Sequence, residues 1–217
     1  MDPDERLSSF GRAVQILTNR PSDHDLVADM VSGLLSRWSD PRRGYHEVRH
    51  LDEVRAVIAT LADSHDPRAW AHAELAAWYH DAIYDPARPD NEAASADLAR
   101  DELSRIGIPE EEVAAICALI LETVDHELPP AGTASAWLHD SDLWILSAPA
   151  ERFDDYCRAV RAEYAEVPDE IYARERSHIL RTFADRPRIY AEPRAYAEWE
   201  PAARANLARE LRRLGSR

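Results

Sequence analysis

The residues of this chain best suited to chemistry are the adjacent pair His80 and Asp81, in the run 78–85. Further histidines and aspartates lie upstream in the segment 45–50 and downstream in the segment 139–143. Imidazole nitrogens and carboxylate oxygens are ligands that proteins use for divalent cations. A His-Asp pair alone is a weak signal, but the ordered set predicts a site that holds a divalent metal ion.

Helical periodicity places these polar side chains on apolar faces. His50 and His46 share one side of a predicted helix, while His80 and Asp142 align with alanine, leucine and isoleucine positions of their own helices. Burying an isolated carboxylate is costly unless a cation or hydrogen-bond donors compensate it. Each histidine alone can be a hydrogen-bonded core residue, and Asp142 can pair with an arginine. Their coincidence on inward faces favours a metal site.

Composition excludes several classes of function. With 217 residues, 45% of them hydrophobic and 31% charged, the chain can bury the core of one soluble globular domain. A formal net charge of −15 argues against a nucleic-acid polymer as partner. All 26 cationic side chains are arginine, which excludes a Schiff-base lysine and a phosphate-loop lysine. Two cysteines are too few for a disulfide framework or a thiolate metal site.

The sequence predicts neither secretion nor membrane insertion. The acidic segment 1–5 lacks the basic and apolar regions of a signal peptide, and no stretch reaches the length of a membrane span. We therefore expect a cytoplasmic protein that makes no membrane contact. Self-association into a homo-oligomer is left open.

Nearly every segment repeats its apolar residues with the period of an α-helix, which predicts an all-α fold. Predicted helices cover about 7–18, 24–38 and 48–61, then a stretch from Pro67 with His80 and Asp81 near its end, one containing 91–95, and others over about 113–124 and 135–146. Two or three more follow, the last from about Tyr196. We expect a single-domain helical bundle over 1–217, with N-terminal helices in 1–40, a metal-binding core in 41–147 and C-terminal helices in 148–217.

The order His, His-Asp, Asp on a helical chain resembles the HD-domain superfamily of metal-dependent phosphohydrolases. The similarity runs from about Trp38 to about Leu211 and is closest to one poorly characterised bacterial subfamily. It is carried by Tyr45-His46 with His50, Trp78-Tyr79-His80-Asp81 with Tyr84-Asp85, Asn91-Glu92 with Ser95-Ala96, the segment 140–146, Arg161 with Glu163-Tyr164, and Tyr172 with Arg176, Leu180, Phe183, Arg186 and Ile189-Tyr190. One position departs, because Glu175 precedes Arg176 where glycine is expected.

This resemblance implies a helical bundle of the HD-domain type with one divalent metal ion. The implied ligands are His50, His80, Asp81 and Asp142, with His50 preferred to His46. Asp142 is likewise preferred to Asp140. Nitrogen and oxygen ligands leave manganese, iron, cobalt, nickel and zinc all open.

The implied reaction is hydrolysis of a phosphate ester or anhydride in a small phosphorylated molecule, with nucleotides among the candidates. Glu92 is the first candidate for the general acid or base and Asp85 the second. Their alternatives are structural, since Glu92 can favour a helix dipole and Asp85 can cap a turn. The implied substrate contacts are His46, Arg43, Asn91 and Arg176, with Arg186 as an alternative arginine.

Two other functional classes stay open at this stage. A dinuclear iron oxygenase on the same scaffold needs His126 and His139 as additional ligands. A non-catalytic helical module that binds a metal or nucleotide and signals to a partner needs only the ligand set. Metal stoichiometry and turnover separate these hypotheses.

Overall fold

The computed structural model describes residues 2–62 and 66–215, and within them the chain is helical with no β-strand. This confirms the predicted all-α class; the HD type stays a prediction. The predicted ends of the domain, Met1 and Arg217, lie outside the described residues. The helices are α1 (Pro3–Thr18), α2 (His24–Trp38), α3 (Val48–Leu61), α4 (Pro67–Tyr79), α5 (Asn91–Arg105), α6 (Glu110–Glu122), α7 (Ala134–Asp142), the 3₁₀ helix Leu143–Ser147, α8 (Ala150–Glu163), α9 (Asp169–Ala184) and α10 (Pro193–Gly215).

Short polar side chains begin several of these helices. The Asp23 carboxylate accepts hydrogen bonds from two backbone N–H groups at the start of α2, and Asp66 accepts one at the start of α4. Thr133 does the same for α7. Such caps satisfy N–H groups that have no partner inside the helix. Pro67 at the first position of α4 has no N–H to satisfy, as the sequence predicts.

Buried side chains of the helices up to α7 form a first hydrophobic cluster, and helix α4 lies at its centre. Towards its C-terminal end, α4 is buried on all sides. It packs against α1, α3, α6 and α7, and the residues from Ala73 to Tyr79 are all buried. This stretch is apolar except for Glu74, whose carboxylate is paired with Arg55, and such a helix belongs in an interior. His80, which follows the last residue of this helix, therefore lies in the core.

Two elements differ from the sequence-based expectation at the metal-site residues. Helix α4 ends at Tyr79, so His80 is its C-cap and Asp81 lies just beyond it. Helix α7 ends at Asp142 and the chain continues as a 3₁₀ helix, whereas the apolar pattern predicts one helix to Leu146. In a 3₁₀ helix, residues three positions apart lie on the same side. Leu143 and Leu146 therefore continue the apolar spacing of the α-helix, and the sequence pattern does not show that the α-helix has ended.

A second hydrophobic cluster joins the 3₁₀ helix to α8, α9 and α10, with Phe153, Tyr190 and Leu207 among its fully buried residues. The two clusters meet around the end of α7. The predicted subdivision at residues 40 and 147 stays a prediction. Among the described residues, no helix combines the length and the apolar character needed to cross a membrane.

Candidate metal centre

Three helix ends bring the four predicted ligands together. His50 lies in the first turn of α3, His80 caps the end of α4, and Asp142 is the last residue of α7. Asp81 follows His80 directly. Both imidazoles are 1% exposed, so they meet inside the protein. Helix ends suit this purpose because their side chains can converge without the helices having to cross.

The ligand atoms of His50, His80 and Asp142 lie mutually close enough to share one cation, and Asp81 is close to both histidines without belonging to this group. His50 Nε2 lies 3.2 Å from His80 Nε2 and 3.2 Å from Asp142 Oδ1. Asp81 Oδ2 lies 3.2 Å from His80 Nε2 and 3.6 Å from His50 Nε2, and His80 Nε2 lies 3.7 Å from Asp142 Oδ1. Ligands about 2.1 Å from a cation are about 3.0 Å apart at a right angle and about 3.4 Å apart in a tetrahedron.

A backbone contact fixes the orientation of His80. Its Nδ1 lies 2.8 Å from the carbonyl oxygen of Ala77, which can only accept a hydrogen bond. Nδ1 therefore carries a proton, and in the neutral ring Nε2 keeps its lone pair for the centre. Metal-binding histidines are oriented by this type of second contact.

The electrostatics of the centre favour a positive charge. Burial would lower the pKa of His80, but the carboxylates of Asp81 and Asp142 outweigh it and raise that pKa well above its ordinary value. Burial would raise the pKa of Asp142, but hydrogen bonds from His50 and His80 hold it well below its ordinary value. The donor set and its charge therefore fit a divalent cation, with His50, His80 and Asp142 as a mutually close group.

His126 approaches the same centre from the other side of Asp142. Its Nε2 lies 3.6 Å from Asp142 Oδ2, and its buried Nδ1 has no hydrogen-bond partner among the described residues. Its φ of 48° is in the left-handed region, which non-glycine residues rarely adopt. Arg186 donates hydrogen bonds to the carbonyl groups of Asp125 and His126 and so holds this conformation.

His139 is oriented differently. Its Nε2 lies 3.0 Å from the carbonyl oxygen of Ile189, so this nitrogen is a donor and not a ligand. Its ring lies 5.8 Å from that of His126, and burial lowers the pKa of His139 to about 4. Of the two extra histidines in the dinuclear hypothesis, His126 is thus the one directed at Asp142.

A buried carboxylate, Glu163, organises the segment around His46. Its side chain is fully buried, and Oε1 accepts hydrogen bonds from the backbone N–H groups of Gly44, Tyr45 and His46 at 2.7 to 3.0 Å. Oε2 lies 2.8 Å from His46 Nδ1 and 3.0 Å from the hydroxyl group of Tyr84.

These contacts define the chemical state of the pair. Burial would raise the pKa of Glu163, but its hydrogen bonds with His46 lower it to about 2. The His46 ring stacks on Tyr84 with centroids 4.0 Å apart and lies 5.9 Å from the His50 ring. His46 therefore lies beside the centre with Nδ1 held by a carboxylate and Nε2 left for other partners.

Sequence reasoning assigned no role to Glu163. It belongs to a motif of the resemblance, but its partner His46 is 117 positions away along the chain. No local spacing signals such a contact. Glu163 is found only when α8 is placed against the segment before α3.

Arg43 is a cross-link between the two segments that carry the site. Its guanidinium donates hydrogen bonds to the carbonyl groups of His46 (2.9 Å), Asp81 (2.7 Å) and Ala82 (3.0 Å). It also lies over the Trp38 ring, 5.4 Å from the centroid. Its terminal nitrogens thus have backbone partners, and its predicted contact with substrate stays a prediction.

The loop between α4 and α5 places the remaining predicted residues. Asp85 is exposed, and its carboxylate accepts a hydrogen bond from the N–H group of Ala87, which is a turn cap. The Asn91 side chain bonds the N–H and carbonyl groups of Asp85 at 3.0 and 2.9 Å. Glu92 lies partly buried in the first turn of α5. The structure thus shows the structural contacts of Asp85 and Asn91, and the assigned functions of all three stay predictions.

Arg176, on α9, donates a hydrogen bond to the hydroxyl oxygen of Tyr156 on α8. Tyr156 packs against Tyr45, whose ring in turn lies 4.6 Å from that of His50. Arg176 is therefore connected to the centre through two aromatic rings. The sequence offers no sign of this, since the three side chains come from separate elements.

Comparison with known proteins identifies no relative of this chain. No protein-family model matches it, and neither a curated protein nor a solved structure does. Function must therefore be argued from the geometry of the site.

Proposed function

We propose that this protein is a metal-dependent phosphohydrolase that cleaves a phosphate ester or anhydride of a small molecule and uses one divalent metal ion. The observation that carries the proposal is the mutually close group of His50, His80 and Asp142, with Asp81 Oδ2 at 3.2 Å from His80 Nε2 and 3.6 Å from His50 Nε2. Manganese, iron, cobalt, nickel and zinc all accept such ligands.

A divalent cation bound there supplies a Lewis acid that activates water and stabilises charge on a phosphoryl oxygen. The chain contributes the shape and charge of the site. Asp81 and Asp142 provide the negative charge that retains the cation, and His80 is held in the required orientation by the carbonyl group of Ala77. Arg43 holds the peptide that carries Asp81.

We assign proton transfer to His46, with Glu163 as its positioning residue. Glu163 binds the His46 Nδ1 and so directs the proton-accepting nitrogen, Nε2, away from the buried side. A general acid or base must lie within reach of the reacting atoms, and the His46 ring lies next to that of His50. Glu92 and Asp85 are the alternatives that the sequence predicts.

A dinuclear oxygenase is the second candidate, and one observation favours it. His126 has a strained backbone, an unpartnered buried nitrogen and a short distance to the outer oxygen of Asp142. His139 has only Nδ1 left for a second cation, because its Nε2 donates a hydrogen bond to the carbonyl oxygen of Ile189. A non-catalytic metal-binding module is the outcome if metal binds and no substrate turns over.

Elemental analysis and turnover together test the proposal. We expect about one equivalent of metal per chain, and hydrolysis of members of a phosphorylated-metabolite panel when manganese or cobalt is added. Two equivalents favour the oxygenase. Stoichiometric metal without any phosphate release contradicts the hydrolase.

Ligand assignment is tested with two neighbouring aspartates. Asp81→Ala should weaken metal binding by more than about 100-fold, because it removes a direct ligand. Asp85→Ala is the matched control and should keep full metal content, since its side chain is exposed and caps a turn. Full metal retention by Asp81→Ala refutes the site.

The proton-transfer assignment is tested by comparing His46→Gln with Glu92→Gln. We expect both to retain metal and only His46→Gln to lose turnover, by about 100-fold or more. The reverse result restores Glu92 to that role.

A further inference from the structure

Within residues 2–62 and 66–215, the hydroxyl group of Tyr45 finds no hydrogen-bond partner. Tyr45 is only 5% exposed, yet its Oη is buried without a hydrogen bond. Its ring is fixed on two sides, 4.6 Å from the ring of His50 and 4.6 Å from the ring of Tyr156. Leaving a buried hydroxyl group unsatisfied is costly, so such a group in a native site calls for a missing acceptor.

Among the described residues, Arg176 also lacks an acceptor of matching charge, and in its case the donor group is itself charged. Its guanidinium lies over the Tyr156 ring, 5.1 Å from the centroid, and donates to the Tyr156 hydroxyl oxygen. Within the described part of the chain, no ion pair joins it to a carboxylate. Arg152, which lies over the Tyr45 ring, differs because Glu53 holds it through two hydrogen bonds of 2.7 and 2.6 Å. Arg176 is partly buried, and a guanidinium withdrawn from water without a counter-charge is unfavourable unless an anion supplies one.

Counting donors and acceptors shows what is missing. The Tyr156 oxygen accepts from Arg176, so the hydroxyl proton of Tyr156 is free to point elsewhere. The Tyr45 hydroxyl group and the other guanidinium N–H groups are donors as well. The cluster Tyr45, Tyr156 and Arg176 therefore has several donors and no anionic acceptor of its own.

The cluster lies on the side of the metal centre. Tyr156 packs against Tyr45, with ring centroids 4.6 Å apart. Tyr45 also packs directly on the ring of the metal ligand His50. An anion held by the three side chains is thus adjacent to the atoms that bind the cation.

We propose that Tyr45, Tyr156 and Arg176 form an oxyanion subsite that binds the non-bridging oxygens of a terminal phosphoryl group. This rests on the proposed hydrolase function and makes it more specific. A terminal phosphate presents three non-bridging oxygens and close to two negative charges, which match three donor groups, one of them a positively charged guanidinium. A phosphodiester presents only two such oxygens and a single charge. The subsite therefore favours monoesters and terminal anhydrides.

Binding of inorganic phosphate to the metal-loaded protein, measured by calorimetry, tests this inference without any need for turnover. Tyr45→Phe removes only the hydroxyl group and should raise the Kd about 5- to 10-fold. Arg176→Gln should raise it by about 30-fold or more, and Arg176→Lys should restore only part of the loss. The matched control is Arg174→Gln, an exposed arginine of the same helix that pairs with Glu175.

Each outcome bears on the subsite separately from the hydrolase. Unchanged phosphate affinity in both Tyr45→Phe and Arg176→Gln overturns it, as does binding of dimethyl phosphate as tightly as of inorganic phosphate. Metal content is measured in every sample, so a weaker subsite is distinguished from a lost cation. If wild-type protein binds phosphate through these residues and hydrolyses no ester, the subsite stands and the proposed function fails. If esters are hydrolysed equally well by wild type and Tyr45→Phe, with equal KM, the function stands and the subsite fails.

Discussion

Replacing Glu163 with Gln should destabilise the protein strongly, although the change is nearly isosteric. The carboxylate is fully buried and accepts hydrogen bonds from three backbone N–H groups, from His46 and from Tyr84. A glutamine amide can accept some of these but presents its own NH₂ group to the rest. The variant therefore loses charge-assisted hydrogen bonds in the interior.

The structure gives the magnitude in two ways. The pKa of Glu163 falls from an ordinary value of 4.5 to about 2. At about 1.4 kcal/mol per pKa unit, this is about 3 kcal/mol of the free energy of unfolding at pH 7. Counting instead the hydrogen bonds from His46 and Tyr84, at about 1.5 kcal/mol or more each, gives the same order.

The pH dependence has a definite sign. A carboxylate whose pKa is lowered by folding stabilises the folded state fully above its unfolded pKa, and this stabilisation is lost as the pH falls through the folded pKa. The difference between wild type and Glu163→Gln should therefore be about 3 kcal/mol at pH 7 and about 2 kcal/mol at pH 3.5.

Urea unfolding followed by circular dichroism measures both values, with metal removed from all samples so that metal binding does not contribute. Glu166→Gln, an exposed position three residues on, is the control and should change stability by less than about 0.5 kcal/mol. A loss below about 1 kcal/mol at pH 7, or an equal loss at both pH values, refutes the reasoning about this carboxylate.

Two further substitutions test the segment that leads into α3. Gly44→Ala should destabilise the protein by about 2 kcal/mol or more, because a Cβ atom there meets the Ala159 carbonyl oxygen at 2.5 Å; Gly33→Ala, a helical position with no atom within 4 Å, should be neutral or slightly stabilising in the same thermal unfolding assay. Arg43→Gln should weaken metal binding about 10- to 100-fold in a cobalt titration, because it releases the carbonyl groups that hold the ligand segment. The exposed Arg42→Gln should bind as wild type does, and equal affinity in both variants contradicts the proposed role.

The helical class and the candidate ligands were predictable because they depend on periodicity. His50, His80 and Asp142 lie on apolar stripes that point into an all-α interior, and the structure brings their ligand atoms together. The end of α7 at Asp142 was not predictable, because the apolar pattern continues unchanged into the 3₁₀ helix.

The residues that contact the metal site without being ligands could not be predicted from the sequence, for a different reason. Glu163 contacts His46 from another part of the chain, and the isolation of the Tyr45 hydroxyl group is visible only when every neighbour is placed. The functional roles assigned to Asp85 and Asn91 remain predictions. Both residues follow the His-Asp pair closely, and the contacts the structure shows for them are those that shape a loop.

The termination of α7 at Asp142 has a mechanical consequence. His50 lies on α3 and His80 directly follows α4, and both helices belong to the first hydrophobic cluster, whereas Asp142 directly precedes the 3₁₀ helix, which belongs to the second cluster with α8 to α10. A cation bound by all three side chains would link the two hydrophobic clusters to each other. At a metal concentration a thousandfold above the dissociation constant, binding adds about 4 kcal/mol to the free energy of unfolding. Removal of the metal by a chelator should therefore destabilise both clusters and not the site alone.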